Sequence, residues 1–219
     1  MGIQLHFPYC FLDYALGVVE RLHKKGILGK NTVAGHCIHL SDEEMDILKN
    51  TDTMVVHNPE SNMGNAVGCP KVLKMFEKGI LIGLGTDGYT NDMMESYKAA
   101  NCLHKHQNQK PNVAWGEIPT MLFENNRKIA QRVFEKPLGM IKENYLADII
   151  LVDYDPFTPI NQDNLNSHLL FGINGKDVTT TIANGKVLMR DRKLTVIDKT
   201  EAMSACRVQS QDFWNRVNK

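Results

Sequence analysis

Thr32-Val33-Ala34-Gly35-His36, Met54-Val55-Val56-His57 and Ile80-Leu81-Ile82-Gly83-Leu84-Gly85-Thr86-Asp87-Gly88 are three short apolar runs, each closing in polar or glycine-rich sequence. None alternates apolar with polar residues, so both faces of each strand are expected to be buried, as in a parallel sheet. Helical sequence lies between them. Residues 15–29 place Leu16, Val19, Leu22 and His23 on one helical face, with Gly26 or Gly29 to end it. Ser41-Asp42-Glu43-Glu44 is a capping box, because Ser41 can cap the backbone while Glu44, three residues on, reaches back. Asn58-Pro59 closes the second strand, and Pro70 is placed at the start of a helix that runs through Phe76 to Gly79. Further helices are expected at about 91–106, 116–124 and 127–135. The repeated strand–helix order is that of βα units, whether Rossmann-like or barrel.

The pattern changes after Gly139. Ala147–Asp153 reads as a strand, and Thr179–Met189 as a β-hairpin whose Asn184-Gly185 turn suits type I′ geometry, since both residues tolerate positive φ. Arg190–Lys193 makes a further turn, and residues 199–217 form a final helix. No internal repeat or low-complexity tract interrupts the chain. The expected organisation is an atypical segment 1–14, a βα region 15–146, a β segment 147–198 and a terminal helix 199–219.

The chain has 219 residues with 25 Lys+Arg against 25 Asp+Glu, so it presents no net electrostatic footprint for nucleic acid or an anionic membrane. No apolar run approaches the ~20 residues of a membrane helix. Five cysteines without a paired spacing argue against a disulfide framework and for reduced thiols, hence a cytoplasmic setting.

His36, His57 with Asn58, and Asp87 all fall at strand ends, which is the site face of parallel α/β folds. Histidine and aspartate presented there suit metal-assisted hydrolysis, in which a carboxylate accepts a proton and an imidazole steadies the attacking oxygen. Blander readings fit the spacing as well: a hydrogen-bonded core histidine for His36, a turn former for Asp87, a packing or supporting role for His57, and a structural one for His39. His104 and His106, two apart, do not share a helix face and are read as surface residues.

Ala34-Gly35-His36-Cys37-Ile38-His39-Leu40-Ser41 resembles the sixth-strand motif of the amidohydrolase superfamily. His57-Asn58-Pro59-Glu60-Ser61-Asn62-Met63 resembles the seventh-strand motif of its deaminase and chlorohydrolase branch, and Gly83–Gly88 resembles the eighth. Within that branch the stretch is most similar to SsnA-type aminohydrolases. Leu138–Ile141, Ala147–Asp153 and Asn184-Gly185-Lys186 resemble the return into a small β-sandwich. The resemblance runs from about residue 15 to the C-terminus. It implies an α/β chain, the C-terminal part of a (β/α)8 TIM-like barrel carrying its strands 6 to 8, plus a β-sandwich segment and a terminal helix. It implies hydrolysis of C–N bonds in amidine or purine- and pyrimidine-like small molecules, with one divalent metal, zinc or iron. In it Asp87 is the metal ligand and proton shuttle, His36 contacts water or substrate, and His57, Asn58 and Asn62 lie on the substrate side. Where relatives often carry Gly, this chain has Asn144, which also tolerates the left-handed region.

The family's first-strand His-x-His motif has no counterpart ahead of His36. Its fifth-strand histidine is matched poorly by His6, with Pro8 close behind and no Glu three residues on. Asp87 alone is expected to hold a metal weakly. The expectation is therefore a truncated chain, inactive alone, with an exposed sheet edge. It then oligomerises, pairs with a separate polypeptide carrying the N-terminal half, or persists as a non-catalytic remnant.

Overall fold

The computed structural model describes residues 3–6, for their backbone, and residues 17–218. They form two compact units, one made of Met1–Tyr145 with Asp155–Gly175, the other of Leu146–Tyr154 with Lys176–Lys219.

The first unit is built on a parallel sheet of β1 (Ile3–His6), β2 (Thr32–Gly35), β3 (Met54–His57) and β4 (Ile82–Leu84), in that spatial order. The three strands expected from the apolar runs are present. β1 is an addition, pairing Ile3 to Thr32 and His6 to Gly35. Helices α1 (Val18–Lys24), α2 (Asp42–Asn50), α3 (Pro59–Gly64), α4 (Val72–Glu77) and α5 (Met93–Asn108) follow the strands. Ala34, Val55, Ile82 and Leu84 of the sheet and Val19, Met45, Leu48, Met75, Tyr97 and Ala100 of the helices share one buried core.

The capping box forms as its spacing requires. Glu44 N donates to Ser41 Oγ at 3.2 Å, and Ser41 N donates to Glu44 Oε2 at 3.1 Å. The other carboxylate oxygen, Oε1, accepts from Val19 N at 3.1 Å and so caps α1 as well, whose own N-cap, Gly17, has no side chain to do so. Pro70 stands just ahead of the Lys71 N-cap of α4 and not inside its first turn.

The stretch expected as two helices after residue 116 is continuous: α6 (Glu117–Pro119), a π-helical turn (Thr120–Asn125) and α7 (Asn126–Gln131). The wider turn serves the sheet. In β4 the Leu81 carbonyl accepts from Val55 N, and Gly85 N donates to the His57 carbonyl. Alternation therefore aims the backbone groups of Ile82 and Leu84 away from β3. Asn125 Nδ2 donates to the Ile82 carbonyl at 2.8 Å. Asn126 Oδ1 accepts from Leu84 N at 2.9 Å while its Nδ2 donates to the Leu84 carbonyl at 2.8 Å. Two asparagines thus occupy the place of a fifth strand beside β4. Gly83 permits this approach, since a Cβ there would lie 2.3 Å from Asn126 Oδ1.

The second unit is an antiparallel sheet of β5 (Ile149–Val152), β6 (Val178–Ala183), β7 (Lys186–Arg190) and β8 (Lys193–Leu194), with α8 (Leu165–Phe171) belonging to the first unit. The segment 155–175 therefore departs from the expected 147–198 block. It stays with the first unit because Leu170 is buried in that core and Gly175 N donates to Asp92 Oδ2 at 2.8 Å. Asn184 (φ 48°) and Gly185 (φ 76°) form the expected I′-type turn, and Asp191 (φ 49°) and Arg192 (φ 61°) repeat it between β7 and β8. Asn144 takes φ 66°, the left-handed turn anticipated there. Among the described residues this unit holds a single four-stranded sheet, and β5 leaves Leu151 53% exposed. Helix α9 (Lys199–Val217), capped by Asp198, buries none of its residues. No described helix is long and apolar enough to cross a membrane.

Candidate active site

The C-terminal ends of β2, β3 and β4 deliver His36, His57 with Asn58, and the loop carrying Asp87. The backbone breaks sharply at two of these ends. His36 (φ 68°), Cys37 (φ 52°) and Asp87 (φ 52°) all lie in the left-handed region, which costs non-glycine residues on the order of 1 kcal/mol or more each. Their neighbours hold them there: His36 N donates to the Val56 carbonyl at 2.9 Å, and Gly88 N donates to Asp87 Oδ1 at 2.7 Å. Strained backbone of this kind gathers where side chains must be aimed.

The aimed groups meet. His36 Nε2 is 3.3 Å from Asp87 Oδ2, and Ser61 Oγ donates to the same oxygen at 2.8 Å. Ser61 comes from the first turn of α3, which starts at Pro59, where a missing N–H is harmless. Asn62, the next residue, is fully buried and places Oδ1 2.7 Å from His36 Nδ1. Asn58 packs against the glycine loop. A Cβ on Gly85 would stand 2.3 Å from Asn58 Oδ1, so only glycine fits between β4 and Asp87. The sequence reading therefore finds His36, Asp87, Asn58 and Asn62 together.

Two histidines need correcting. His57 does not face an open pocket. It is completely buried, with Nδ1 3.4 Å from Asn62 Nδ2 and Nε2 3.1 Å from His104 Nε2. Both ring nitrogens are engaged by protein, so it supports Asn62 and does not line the substrate side. His104 is not on the surface: it is 1% exposed, and its Nδ1 lies 3.7 Å from Cys69 Sγ. The argument from i,i+2 spacing separated it from His106, which is exposed, without saying which of the two points inward. The signal was the stripe Tyr97, Ala100, Asn101, His104, which returns to one face of α5. Ser61 was passed over because a serine in a polar loop carries no distinguishing pattern.

Burial sets the charge of this cluster. It holds the His57 ring well below the ordinary histidine value, reinforced by the neighbouring His104 and His36, and it pushes His104 down to about 4. Both rings are neutral at physiological pH. Burial also raises the Cys69 thiol to about 11 and lifts the Glu60 carboxyl, whose Oε2 accepts from Ser96 Oγ at 2.9 Å.

A tight zinc site takes three or four protein ligands. Asp87 and His36 supply two donors, and no cluster of three or more His, Cys, Asp or Glu side chains is gathered among the described residues. The described residues do not make a metal centre by themselves.

The parallel sheet thus brings a histidine and an aspartate together at its C-terminal strand ends, the face on which parallel α/β folds carry their sites. Residues 15–188 match the Amidohydrolase family, and the chain belongs to it. The chain is 35% identical to a 5-methylthioadenosine/S-adenosylhomocysteine deaminase of Dictyoglomus thermophilum over 93% of its own length and 50% of that protein. It is likewise 35% identical to a 5'-deoxyadenosine deaminase of Methanosarcina barkeri, over 91% of its length and 46% of that protein. The crystal structure of an adenosine deaminase from Xanthomonas campestris with bound zinc superposes with a TM-score of 0.82 at 23% identity, covering 97% of this chain and 50% of that one. The chain thus spans about half the length of the curated relatives it matches.

Proposed function

We propose that this chain carries part of the active site of an aminohydrolase, which hydrolyses an exocyclic C–N bond of an amidine-bearing ring and releases ammonia. The observation that carries this reading is the Asp87–His36 pair, 3.3 Å apart at the ends of β4 and β2. In this reading β2, β3 and β4 are the sixth, seventh and eighth strands of a (β/α)8 barrel, and the second unit is a segment of a composite β-sandwich.

The chemistry asked of these residues is proton handling. Attack of water on an amidine carbon needs one proton removed from water and one delivered to the leaving nitrogen. Asp87 Oδ2 takes the first. His36 Nε2 stands within sharing distance of that proton, and the pair returns it to the departing amine. Ser61 and the Gly88 amide hold the carboxylate in register throughout. A divalent metal, zinc or iron, is the cofactor this reading calls for, with Asp87 as one ligand and the others outside the described residues. Those ligands come from further sequence, on the same polypeptide or on a partner chain. The half-length match to the relatives favours a site completed in this way.

The substrate class follows the relatives' names: adenosine derivatives altered at the 5' position, such as 5'-methylthioadenosine, S-adenosylhomocysteine and 5'-deoxyadenosine. The test is to co-express the chain with a polypeptide bearing the preceding half of a relative, and to measure ammonia and the inosine-type product from each compound. Turnover of at least one supports the reading. Absence of ammonia from a stable, metal-loaded complex with all three overturns it and leaves a non-catalytic role.

A further inference from the structure

Ser61 and Gly64, three apart, share a face of α3. That face meets the loop after β4 twice. Ser61 Oγ donates to Asp87 Oδ2 at 2.8 Å, and the phenol end of Tyr89, two residues past Asp87, lies over Gly64. A Cβ on Gly64 would overlap Tyr89 Oη, Cζ and Cε1. The first contact belongs to the chemistry proposed above; the second has no part in it.

The backbone does not call for glycine at this point. Gly64 ends α3 and is not one of the glycines with positive φ, so alanine could take its conformation and would make the better helix. What excludes a side chain is the Tyr89 ring. The ring is not core in its turn, since Tyr89 is 53% exposed. The loop it belongs to is anchored at both ends. Gly85 N donates to the His57 carbonyl at 2.8 Å; beyond Tyr89, Thr90 Oγ1 donates to Glu95 Oε2 at 2.6 Å, and Asp92 Oδ1 caps α5 by accepting from Met94 N at 2.9 Å. Between these anchors Asp87 sits at φ 52°, a conformation that persists only where neighbours hold it.

We propose that Tyr89 is a positioning residue for Asp87. Seated in the notch that Gly64 leaves on α3, its ring ties down the loop just past the carboxylate, as Ser61 ties the carboxylate itself. The ring acts through the loop and does not touch substrate. The consequence for turnover rests on the aminohydrolase reading; the clasp between Tyr89 and Gly64 does not.

The clasp is tested on the full chain by amide relaxation at Gly88 together with urea unfolding. In the unaltered chain and in Tyr89→Phe, which keeps the ring, the Gly88 order parameter should be about 0.85, and in Tyr89→Ala it should fall below about 0.6. Gly64→Ala should loosen Gly88 in the same way and lower the urea midpoint, because the added methyl displaces the ring. With Tyr89→Ala already in place, Gly64→Ala should instead raise the midpoint, since only the better helix propensity of alanine is left. That reversal of sign marks two residues in contact. A Gly88 amide indifferent to Tyr89→Ala, a phenylalanine variant as loose as the alanine one, or a Gly64→Ala effect of the same sign in both backgrounds overturns the proposal. In the completed complex Tyr89→Ala should lower kcat by roughly tenfold to a hundredfold with KM changed by less than about twofold. A raised KM at unchanged kcat would put the ring on the substrate and overturn the positioning role. If the unaltered complex itself does not turn over, the aminohydrolase reading fails, and the relaxation and unfolding results still decide the clasp.

Discussion

Asn126 offers the most quantitative handle on the fold beneath the site. Asn126→Ala removes both partners of Leu84, whose side chain is only 3% exposed and whose edge-facing N–H and C=O have the asparagine amide in place of a strand. A typical hydrogen bond is worth about 1 kcal/mol net, but a buried group left unmatched costs about 1–3 kcal/mol. With two groups affected and some water reaching the half-buried asparagine site, the expected loss is about 3 kcal/mol. That is a large share of the ~5–15 kcal/mol that holds a domain folded. The assay is amide exchange at Leu84 together with urea unfolding. At 1.4 kcal/mol per decade, exchange at Leu84 should accelerate by roughly a hundredfold. Leu84 sits three residues before Asp87, so the Asp87 loop should lose order with it. Asn125→Ala, which forfeits one bond to the Ile82 carbonyl, should cost about half as much. A loss below ~0.5 kcal/mol for Asn126→Ala, with protection at Leu84 intact, would refute the view that side-chain amides close this edge.

Other consequences are as direct. Glu44→Ala removes the capping box of α2 and the cap of α1 together, and should cost about 2–3 kcal/mol in denaturant titration, against about 1 kcal/mol for Ser41→Ala. Asp87→Asn and His36→Ala should abolish turnover of the completed enzyme while leaving its circular dichroism close to that of the unaltered chain, with His36→Ala also costing about 1–3 kcal/mol because Asn62 Oδ1 loses its buried partner; near-normal turnover in either would remove the role assigned to it. Stability should fall with acid. His104 is depressed to about 4 and His57 also lies well below 6.5, so between pH 6.5 and about 4 the unfolded chain binds protons that the folded chain does not. Each such histidine contributes stability that is complete above the unfolded value and declines by up to about 1.4 kcal/mol per pH unit below it. His104→Gln should flatten this slope in urea titrations at stepped pH, and an unchanged slope would show that the ring is not buried as described.

How far the sequence could be read depended on which interactions left a local pattern. β2, β3 and β4 were legible because strands buried on both faces are uniformly apolar, and the Asn184-Gly185 hairpin and the Ser41–Glu44 box because turns and caps are local chemistry. β1 was missed: Ile3–His6 is short, and its pairing with β2 is a long-range fact. The cover over β4 was not foreseen because nothing in Asn125-Asn126 announces that a π-helical turn will aim both amides at one strand. At the site, His36 and Asp87 stood out by position at strand ends. His104 did not, since its role depends on α5 bringing it against His57 at the end of β3, and a histidine on an amphipathic helix looks the same whether it faces water or a second imidazole.

The most direct test of a site shared between this sequence and sequence beyond the described residues is metal stoichiometry. The chain alone, and the chain joined by the complementing half of a relative, would each be loaded with zinc, dialysed and measured. The account predicts little retained zinc for the chain alone, about one ion per completed complex, and its loss in Asp87→Asn. A tightly held ion in the chain alone, or an undiminished one in the Asp87→Asn complex, would contradict it.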